Sequence, residues 1–476
     1  MVVRTRFAPS PTGYLHVGGL RTALYAYLFA KQNQGQLILR IEDTDQERRV
    51  EGAIEKIIEA LKWAGLEPDE GPHKGGDYGP YIQSERIELY KKYADELLER
   101  DHAYPCFCTK ERLDELNRIQ KMQNKPPGYD GKCRSLSREE AEQRIAAGES
   151  YVIRQKIPEN REIIVNDIIR GQVSFETDLL DDQILMKSDG FPTYHLANIV
   201  DDHLMEISHV IRGEEWLPST PKNILLYEFL GWEAPKFAHL PLLLNRDRSK
   251  LSKRQGDVAV SDYRDKGYLK DALINFLALL GWNPGTNQEI FSRKELIREF
   301  SLEKVGKSGS VFDLEKLDWM NGIYIREMDL DELYQHVEDR IASEIDWSEE
   351  ELKQIVGLLQ ESLTKLNDIN SKGIIFFKEN LQLEKDAEKM LQSKETVKVL
   401  KGFIDKLSEL DALDRNIFVN IARQVQKETG IKGKQLWMSI RVGITGQTHG
   451  PEIHKTAEIL GKEKCLERMQ EALANA

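Results

Sequence analysis

The sequence predicts a multidomain protein of the α/β plus all-α class, in which a doubly wound α/β domain is split by an insertion and followed by a mostly helical half. Three observations lead to this prediction. Strand and helix patterns alternate over residues 1–86, the alternation breaks over residues 87–193, and it resumes over residues 194–244. Helical periodicity then dominates, and we divide that half into residues 245–327 and residues 328–476.

The first α/β unit follows from local patterns. Residues 4–8 form a short strand candidate, residues 9–13 a turn-rich loop, and residues 17–32 repeat apolar side chains at helical spacing. The apolar run 36–41 predicts a buried parallel strand, since a glycine precedes it and the acidic segment 42–45 follows it. In a doubly wound sheet, ligands bind beyond the carboxyl ends of the strands, which is where both of these flanking segments fall.

The elements after the insertion repeat the pattern, and the insertion itself carries three clustered cysteines, a Pro-Pro-Gly segment and polar helices. Amphipathic stretches rich in Leu, Glu and Lys then continue to the end, and their periodicity names no ligand. After the insertion we expect a helix, a strand, a helix and a strand, in that order, over residues 194–206, 208–212, 218–230 and 237–244.

The length and charge of the chain limit the number of its domains and the kinds of partner that it can have. A chain of 476 residues with 40% hydrophobic content has room for three to five domains of about 100–200 residues each. The net charge of −13 does not favour nucleic acid as a partner, yet 67 Lys and Arg residues suffice for a local basic stripe on an acidic body. Composition therefore neither favours nor excludes binding of a shaped RNA.

Two further absences in the sequence predict the compartment. No apolar run approaches the ~20 residues that a membrane helix needs, and the first residues lack the apolar core of a signal peptide. The four cysteines of so long a chain argue against a disulfide framework. We therefore expect a cytoplasmic protein with no membrane partner.

A motif near the start of the chain has the chemistry of a phosphate site. Residues 9–19 read Pro-Ser-Pro-Thr-Gly-Tyr-Leu-His-Val-Gly-Gly and lead into a predicted helix. The imidazole of His16 and the unpaired N–H groups of the helix start suit a triphosphate, and Thr12 adds a hydroxyl. Gly18 and Gly19 allow a nucleotide to approach closely. The motif alone is equally compatible with a plain turn that caps a core helix.

A second motif, Lys250-Leu-Ser-Lys253-Arg254, lies on a predicted loop after a strand. Its cations could clamp a pyrophosphate as it leaves. Alone, such a run is most often a solvated basic loop. Its occurrence together with the first motif, on an α/β framework, instead favours an ATP site.

These motifs and their neighbours resemble those of the class I aminoacyl-tRNA synthetases, and specifically the bacterial glutamyl-tRNA synthetases. The first motif is similar to the HIGH element of that class and the second to its KMSKS element. Many class I enzymes have a second His where this chain has Gly19, whereas glutamyl enzymes commonly have a small residue there. The resemblance runs from about residue 4 to residue 467 and includes residues 6–13, 40–45, 191–198 and 210–216.

The resemblance implies a Rossmann-type catalytic domain that uses ATP with Mg²⁺ and binds L-glutamate, whose carboxylates suit the bidentate fork of arginine. It implies catalytic roles for His16, Lys250 and Lys253, with Lys253 the more critical lysine. The implied ATP contacts are Pro9, Thr12, Gly13, His16, Gly18, Gly19, Glu215, Trp216, Lys253 and Arg254. The implied glutamate contacts are Arg6, Ala8, Ser10, Glu42, Tyr194, Asn198 and Arg212.

The residues themselves leave simpler interpretations open. Arg40 and Arg212 could be ordinary arginines at strand ends, and Tyr194 and His195 could belong to the core of an amphipathic helix. The adjacent aspartates at positions 201–202 could be taken for a metal-binding pair. We favour solvated or structural carboxylates there.

The clustered cysteines predict a metal site. Thiolates at the spacing of Cys106, Cys108 and Cys133 could hold a structural Zn²⁺, with Tyr129 or a nearby side chain as the fourth ligand. Some glutamyl-tRNA synthetases carry such a site and others lack it. The alternative is three free buried thiols in a reducing compartment. We expect an ordinary helix thiol at Cys465.

The resemblance also implies the macromolecular partner, which is tRNA(Glu), and leaves tRNA(Gln) open as a second substrate. It assigns the acceptor end of the tRNA to the insertion, the stem to residues 245–327, and the anticodon to residues 328–476, in two subdomains. We expect a monomer. Residues 1–86 and 194–244 would together form the Rossmann catalytic domain.

Two alternative functions remain on the sequence. The first is that of a truncated paralogue, which glutamylates a modified base in a tRNA anticodon and lacks the region from Phe312 onwards. The second is that of a catalytically inactive tRNA-binding relative. The long helical half argues against the first alternative, and the intact motif residues argue against the second.

Overall fold

The computed structural model describes residues 2–251 and 258–476. Among these residues, no helix combines the length and the apolar character that crossing a membrane requires. The chain forms two compact units, and each is built from two segments: Met1–Tyr263 with Leu273–Asp313 in the first unit, and Arg264–Ala272 with Leu314–Ala476 in the second.

The strands all lie in the first unit of the described chain. They are β1 (Arg4–Phe7), β2 (Gln36–Leu39), β3 (Ala103–Cys106), β4 (Val152–Gln155), β5 (Glu162–Asp167), β6 (Gly171–Glu176), β7 (Ile184–Met186), β8 (His209–Gly213), β9 (Lys236–Leu240), β10 (Leu243–Leu244) and β11 (Ser310–Val311).

The α-helices up to residue 299 are α1 (Val17–Gln32), α2 (Ala53–Trp63), α3 (Ile87–Glu99), α4 (Lys110–Met122), α5 (Arg138–Ala146), α6 (Tyr194–Leu204), α7 (Thr220–Leu230), α8 (Val260–Asp265), α9 (Lys270–Leu279) and α10 (Arg293–Glu299). They belong to the first unit, except that α8 ends and α9 begins within the segment Arg264–Ala272 of the second unit.

The remaining α-helices belong to the second unit. They are α11 (Leu314–Glu327), α12 (Leu330–Val337), α13 (Glu349–Leu359), α14 (Asp368–Lys372), α15 (Ile374–Phe377), α16 (Lys385–Leu391), α17 (Lys394–Ser408), α18 (Arg415–Thr429), α19 (Lys434–Thr445) and α20 (Ile453–Ala474).

The largest sheet has six strands in the order β2-β1-β8-β9-β5-β6. The first five strands in this order each run parallel to their neighbours, and β6, at the edge of the sheet, runs antiparallel to β5. The chain passes from β1 through α1 to β2 on one side, while β8 lies on the other side of β1. The strand order therefore reverses between β1 and β8, and in doubly wound sheets such a reversal opens a crevice at the carboxyl ends of the strands.

Strand β2 is largely buried, as its apolar run predicts, and β1 is buried together with two arginines, Arg4 and Arg6. A buried cation is tolerated when it has an anionic partner. Arg4 pairs with Glu70 at 2.7 Å, and Arg6 pairs with Asp202 at 3.1 Å. The strand that begins the fold is thus tied to distant parts of the chain by charge as well as by packing.

The predicted insertion, residues 87–193, contributes to two sheets. Strands β3, β4 and β7 form an antiparallel sheet of three strands. Strands β5 and β6 instead extend the large sheet beyond β9. The boundaries of 1–86, 87–193 and 194–244 as functional domains remain a prediction.

Most predicted elements are confirmed to within a few residues. Helix α1 begins and ends where helical spacing predicts. The ends of β2, α6, β8 and α7 lie within two residues of the predicted positions. The predicted single strand over residues 237–244 is wrong, because β9 ends before Pro241 and β10 begins after it. Proline lacks the N–H that a strand would donate to its neighbour.

The second unit is helical, as predicted, around one apolar core that includes Phe403 and Phe418. Local signals explain where its helices begin and bend. Ser348 and Glu351 form a capping box at the start of α13. Gly461, with φ of 77°, interrupts the helical backbone within α20.

Candidate active site

A cavity of about 590 Å³ lies in the first unit, beyond the carboxyl ends of β1, β8 and β9, where the strand order reverses. Residues predicted for ATP and residues predicted for glutamate line the same cavity, so the sequence motifs converge in space. Those that line it are Arg6, Ala8, Ser10, His16, Gly18, Gly19, Glu42, Tyr194, Arg212, Glu215, Trp216 and Lys250.

Some predicted residues lie beside the cavity instead of in its wall. Pro9, Thr12 and Gly13 occupy the loop between β1 and α1 and do not line it. The carbonyl of Pro9 accepts a hydrogen bond from the backbone N–H of Glu42 at 3.0 Å. This bond holds the loop after β1 to the segment after β2, which are the two segments that the sequence places at the ligand edge.

Three further predictions have a different outcome. Lys253 and Arg254 lie in residues 252–257, outside the residues that the structure describes. Asn198 is buried in α6 and does not line the cavity. Its Oδ1 accepts hydrogen bonds from Arg6 and Arg40, so it supports the cavity wall from within the protein.

His16 caps the N-terminus of α1. Its Nδ1 accepts a hydrogen bond from the backbone N–H of Gly18 at 2.9 Å, and its own backbone is extended, as at an N-cap. Because Nδ1 is the acceptor, the proton of the neutral ring lies on Nε2. A Cβ atom at Gly18 would lie 3.2 Å from this Nδ1 and would crowd the cap. Glycine at that position therefore preserves both the cap and the open helix start that anions favour.

Arg6 and Glu42 reach the cavity from a buried cluster of charged side chains. Asp202 joins the cluster by accepting hydrogen bonds from Arg6 Nε at 3.1 Å and from Arg40 Nη1 at 2.8 Å. Asn198 accepts a further bond from Arg40 Nη2 at 3.0 Å. Arg40 is fully buried, so its charge acts on the cavity through these neighbours and not by contact with a ligand.

The two carboxylates of this cluster differ in pKa. Burial raises the pKa of Glu42 to about 7, although Arg40 and Arg6 oppose the rise. Burial also acts on Asp202, but the two arginines outweigh it and hold the pKa of Asp202 below its ordinary value. Near neutral pH, Asp202 is therefore charged while Glu42 can take either form. A bound ammonium group would favour the charged form of Glu42.

The neighbouring aspartate, Asp201, is also buried and bonded to other side chains of the protein. Asp201 and Asp202 are at most 2% exposed, so the solvated alternative is wrong and the structural one is confirmed. Three buried donors surround Asp201, and they are Gln83 Nε2 at 2.9 Å, Arg86 Nε at 2.7 Å and Tyr90 Oη at 2.9 Å.

Arg212 projects into the cavity from the end of β8 and is held by three side chains. Its Nη1 donates to Tyr194 Oη at 3.0 Å, and its Nη2 donates to Thr220 Oγ1 at 2.9 Å. Its Nε donates to His239 Nε2 at 3.1 Å. Arg212 is therefore more than an ordinary arginine at a strand end, because its orientation is set on several sides.

Aromatic rings form another part of the wall. The rings of Tyr194 and Trp216 lie 4.3 Å apart at an angle of 32°. Burial raises the pKa of Tyr194, so its hydroxyl stays protonated at neutral pH. Trp216 is 37% exposed, which leaves part of its indole available for stacking with a ligand.

Lys250, the first residue of the second motif, forms an ion pair at the cavity. Its Nζ lies 3.5 Å from Glu215 Oε1, and both side chains are about half exposed. Such a pair contributes little to stability because solvent screens it. A more highly charged anion, such as a polyphosphate, could therefore take Lys250 away from Glu215.

Several residues of the site escaped the sequence prediction. Arg21, which lines the cavity, donates to main-chain carbonyls of Pro241 and Leu280 from the first part of α1. His239 and Thr220 hold Arg212 without lining the cavity. The only sequence signal for such residues is a polar side chain in an otherwise apolar element, and that signal does not name the partner.

The three clustered cysteines lie together in the antiparallel sheet region of the first unit. The Sγ atoms of Cys106, Cys108 and Cys133 all lie within 4.8 Å of one another, and those of Cys108 and Cys133 are 3.6 Å apart. The hydroxyl of Tyr129 lies 3.3 Å from Cys106 Sγ and 3.8 Å from Cys108 Sγ. Burial tends to raise the pKa of Cys106, but its hydrogen bond with Tyr129, the backbone N–H of Cys108 and Arg154 together outweigh burial and leave that pKa lowered.

Arg154 adds a positive charge beside this cluster. Its guanidinium lies 3.9 Å from the centre of the Tyr129 ring. Arg154 is itself buried. It is among the groups that lower the pKa of Cys106, and it therefore favours the thiolate form of that residue, which is the form that binds metals.

Two family profiles together match nearly the whole chain. The profile described as tRNA synthetases class I (E and Q), catalytic domain, matches residues 2–319. The profile described as anticodon binding domain matches residues 332–473. The cavity and the cysteine cluster both fall within the first match.

Curated relatives and a solved structure are similar to this chain over nearly its full length. The glutamate–tRNA ligase of Alkaliphilus metalliredigens is 50% identical over 98% of each chain, and that of Finegoldia magna is 50% identical over 99% of each chain. The crystal structure of a glutamate tRNA ligase from Elizabethkingia meningosepticum, in complex with its amino acid, superimposes with a TM-score of 0.93 at 42% identity. It covers 100% of this chain and 99% of that one.

Proposed function

The chain belongs to the glutamate–tRNA ligase family of class I tRNA synthetases, and we propose that glutamate and ATP react in the cavity of its first unit. The reaction is that of the family. Glutamate is activated with ATP to glutamyl-adenylate, and the glutamyl group then passes to the 3'-terminal adenosine of tRNA. Because no side-chain nucleophile is needed, the protein contributes alignment of the reactants and neutralisation of charge.

The observation that carries this proposal is that two buried arginines, Arg6 and Arg212, share the wall of one cavity. Glutamate has two carboxylates, and a guanidinium can bind a carboxylate through two parallel hydrogen bonds. The carboxyl group of Glu42 is the natural partner for the α-amino group. We assign Ala8, Ser10 and Tyr194 to the same subsite, with Asn198 as a support for Arg6.

The ATP half of the proposal rests on the start of α1. The ring of His16, with its proton on Nε2, and the N-terminus of the helix offer donors for the triphosphate. Trp216 offers a flat face for the adenosine, and Lys250 would neutralise the pyrophosphate with Lys253 and Arg254. We also propose Mg²⁺ on the phosphates, since Mg²⁺ binds mainly through phosphate oxygens and water.

A direct test compares two purified tRNAs, tRNA(Glu) and tRNA(Gln), as acceptors of labelled glutamate in the presence of ATP. We expect charging of tRNA(Glu). Charging of both would add tRNA(Gln) as a second substrate, and charging of tRNA(Glu) alone would make the enzyme discriminating. Activity only on a modified anticodon base, or on no tRNA, would contradict the proposal and favour the paralogue or the inactive relative.

The same proposal assigns a part of the tRNA to each of three regions of the chain. We assign residues 328–476 to anticodon binding, residues 245–327 to the tRNA stem and residues 87–193 to its acceptor end. The matching anticodon-domain profile supports the first of these assignments. We further propose that the enzyme works as a monomer in the cytoplasm, where its tRNA substrates feed protein synthesis.

The cysteine cluster is proposed as a structural zinc site. A tetrahedral zinc with Zn–S bonds of about 2.3 Å and a Zn–O bond of about 2.0 Å places sulfurs about 3.8 Å apart and oxygen about 3.5 Å from sulfur. The distance of 3.6 Å between Cys108 and Cys133, and those of 3.3 and 3.8 Å from Tyr129 to Cys106 and Cys108, fit this arrangement. Zinc held by four protein ligands would stabilise the insertion and take no part in the reaction.

We expect the purified protein to contain about one zinc per chain and to lose it when Cys133 is replaced by Ser, since one of three thiolates is then missing. The measurement is metal content by mass spectrometry, together with the melting temperature, which should fall on loss of the metal. Cys465→Ser is the matched control because Cys465 is a buried thiol of the second unit and is not a member of the cluster. Equal zinc in the Cys133 and Cys465 variants would contradict the site.

A further inference from the structure

Behind Arg212, and outside the cavity wall, lies a buried pair of side chains that the reaction does not use directly. His239 on β9 and Asp167 at the end of β5 are both fully buried as side chains. His239 Nδ1 lies 2.6 Å from Asp167 Oδ2, and His239 Nε2 lies 3.1 Å from Arg212 Nε. A continuous line of hydrogen bonds therefore joins Asp167, His239 and Arg212.

The surroundings of Asp167 show that it acts only as an acceptor. Its oxygens accept hydrogen bonds from the backbone N–H groups of Ile169, Arg170 and His239 at 2.9, 2.7 and 3.0 Å. Burial tends to raise the pKa of Asp167, but the hydrogen bond from His239 and the backbone donors outweigh it and leave that pKa lowered. A carboxylate with only donors around it is ionised and requires Nδ1 of His239 to carry a proton.

This requirement decides which nitrogen of His239 faces Arg212. Burial lowers the pKa of His239, although Asp167 opposes the change and Arg212 and Arg170 support it, so the ring is neutral near pH 7. A neutral ring with its proton on Nδ1 has a lone pair on Nε2. Arg212 carries a permanent N–H donor at Nε, so the Nε–H to Nε2 bond is satisfied only in this tautomer. The opposite tautomer would set two N–H groups against each other.

Thr220 completes the arrangement on the same edge of the guanidinium. Its Oγ1 accepts from Arg212 Nη2, donates to the carbonyl of Trp216 at 3.1 Å and lies 3.2 Å from His239 Nε2. Tyr194 takes one N–H of Nη1. A guanidinium has five N–H groups, and the described partners of Arg212 accept three of them. One N–H on Nη1 and one on Nη2 remain for a ligand, and a bidentate carboxylate accepts two N–H groups.

We propose that Asp167 and His239 are positioning residues that hold Arg212 in one rotation, with two N–H groups presented to a carboxylate of the amino acid substrate. The proposal rests on the glutamate-binding role proposed above for Arg212. A pre-oriented fork binds its ligand more tightly than a free one, because the cost of ordering the side chain is met in the folded protein. Asp167 acts through the tautomer of His239 and does not touch the substrate.

Two substitutions at one position separate this role from simple packing. In His239→Asn, the side-chain amide lies near the position of Nδ1 and can donate to Asp167, but nothing accepts from Arg212. In His239→Gln, the amide reaches the position of Nε2, where its carbonyl can accept from Arg212. We expect His239→Asn to raise the KM for glutamate by about 10- to 100-fold, the loss of one hydrogen bond to a charged group. His239→Gln should recover most of that loss.

The same assays, run as aminoacylation of tRNA(Glu), give the controls. The KM for ATP should change little in either variant, because His239 does not line the cavity and bonds to it only through Arg212. His209→Asn is a matched control, since His209 is a buried histidine at the opposite end of β8 from Arg212. An equal rise in the KM for glutamate and for ATP, without recovery in His239→Gln, would mean packing alone and would overturn the proposal.

Arg212→Gln distinguishes a failure of this proposal from a failure of the proposed function. An unchanged KM for glutamate in Arg212→Gln would remove Arg212 from the substrate subsite altogether. A raised KM in Arg212→Gln with an unchanged KM in His239→Asn would keep the subsite and overturn the positioning pair.

A measurement on the unaltered enzyme tests the tautomer even if a variant does not fold. Protein labelled with ¹⁵N in histidine reports, by proton–nitrogen correlation NMR, which ring nitrogen of each histidine carries the proton. The signal of His239 is the one that disappears in His239→Gln or His239→Asn. We expect the proton of that ring on Nδ1, and a proton on Nε2 would overturn the proposal.

Discussion

Replacement of His16 by Asn is expected to slow the formation of glutamyl-adenylate by about 10²–10³-fold while leaving the free energy of unfolding unchanged. The two effects separate because the proposed function assigns a different role to each ring nitrogen of His16. Nδ1 caps α1 by accepting from Gly18, and an Asn side-chain oxygen can take over that bond. The proton on Nε2 has no counterpart in Asn, so a donor to the charge that develops on the phosphate is lost.

The measurement is the rate of ATP–pyrophosphate exchange in the presence of tRNA(Glu), with thermal unfolding on the same samples. His16→Gln is the complementary variant, because its amide reaches the position of Nε2 but not that of the cap. It should keep more activity than His16→Asn and be less stable by about 0.5–2 kcal/mol, the cost of a lost N-cap. A His16→Asn enzyme with a normal rate would restrict His16 to capping.

Local sequence patterns were sufficient for the parts of the site that depend on neighbouring residues. The loop after β1 and the helix α1 are specified within residues 9–32, so their arrangement follows from a strand, a turn and a helical period. The convergence of this segment with Arg212 also follows from the sequence, because the carboxyl ends of parallel strands share one edge of the sheet.

The partners of the buried charges could not be predicted in this way. Asp202 bonds to Arg40 across 162 positions of sequence and to Arg6 across 196. The sequence indicates that an arginine beside an apolar strand needs an anion, but many carboxylates are available and only the fold selects one. The line from Asp167 through His239 is hidden for the same reason.

The extension of the large sheet by β5 and β6 was missed for a different physical reason. In β5, Ile163 and Val165 are buried while Ile164, between them, is 43% exposed. An apolar residue on the exposed face conceals the alternation that marks a half-buried strand. For this reason, the sequence pattern did not predict that the insertion contributes strands to the large sheet.

Replacement of Arg40 by Met is expected to destabilise the first unit by about 3–5 kcal/mol near neutral pH, the effect of removing one partner from a buried ionic cluster. Arg40 is fully buried against Asp202 and lies 3.3 Å from Glu42. Met fills a similar apolar volume, so the loss is chiefly electrostatic. Asp202 keeps Arg6 as a partner, whereas Glu42 loses the cation that most strongly opposes the effect of burial on its pKa.

The pH dependence of the loss gives the sharper test, because it identifies Glu42 as the group left without its partner. The pKa of Glu42 is already raised from 4.5 to about 7 in the folded protein, so its burial costs stability as pH rises from the lower value to the higher one. Without Arg40 the folded pKa rises further, and the cost continues to grow above pH 7. The stability difference between Arg40→Met and the unaltered protein should therefore be larger at pH 8.5 than at pH 6.

Urea unfolding at these two pH values measures the difference, and Arg48→Met is the control. Arg48 pairs with Asp45 at 2.6 Å, yet its side chain is 74% exposed, so solvent already screens the pair. Its removal should leave the free energy of unfolding nearly unchanged at both pH values. If Arg40→Met were no more destabilising than this control, or equally destabilising at both pH values, the charged cluster beneath the proposed glutamate subsite would owe its stability to packing and not to charge.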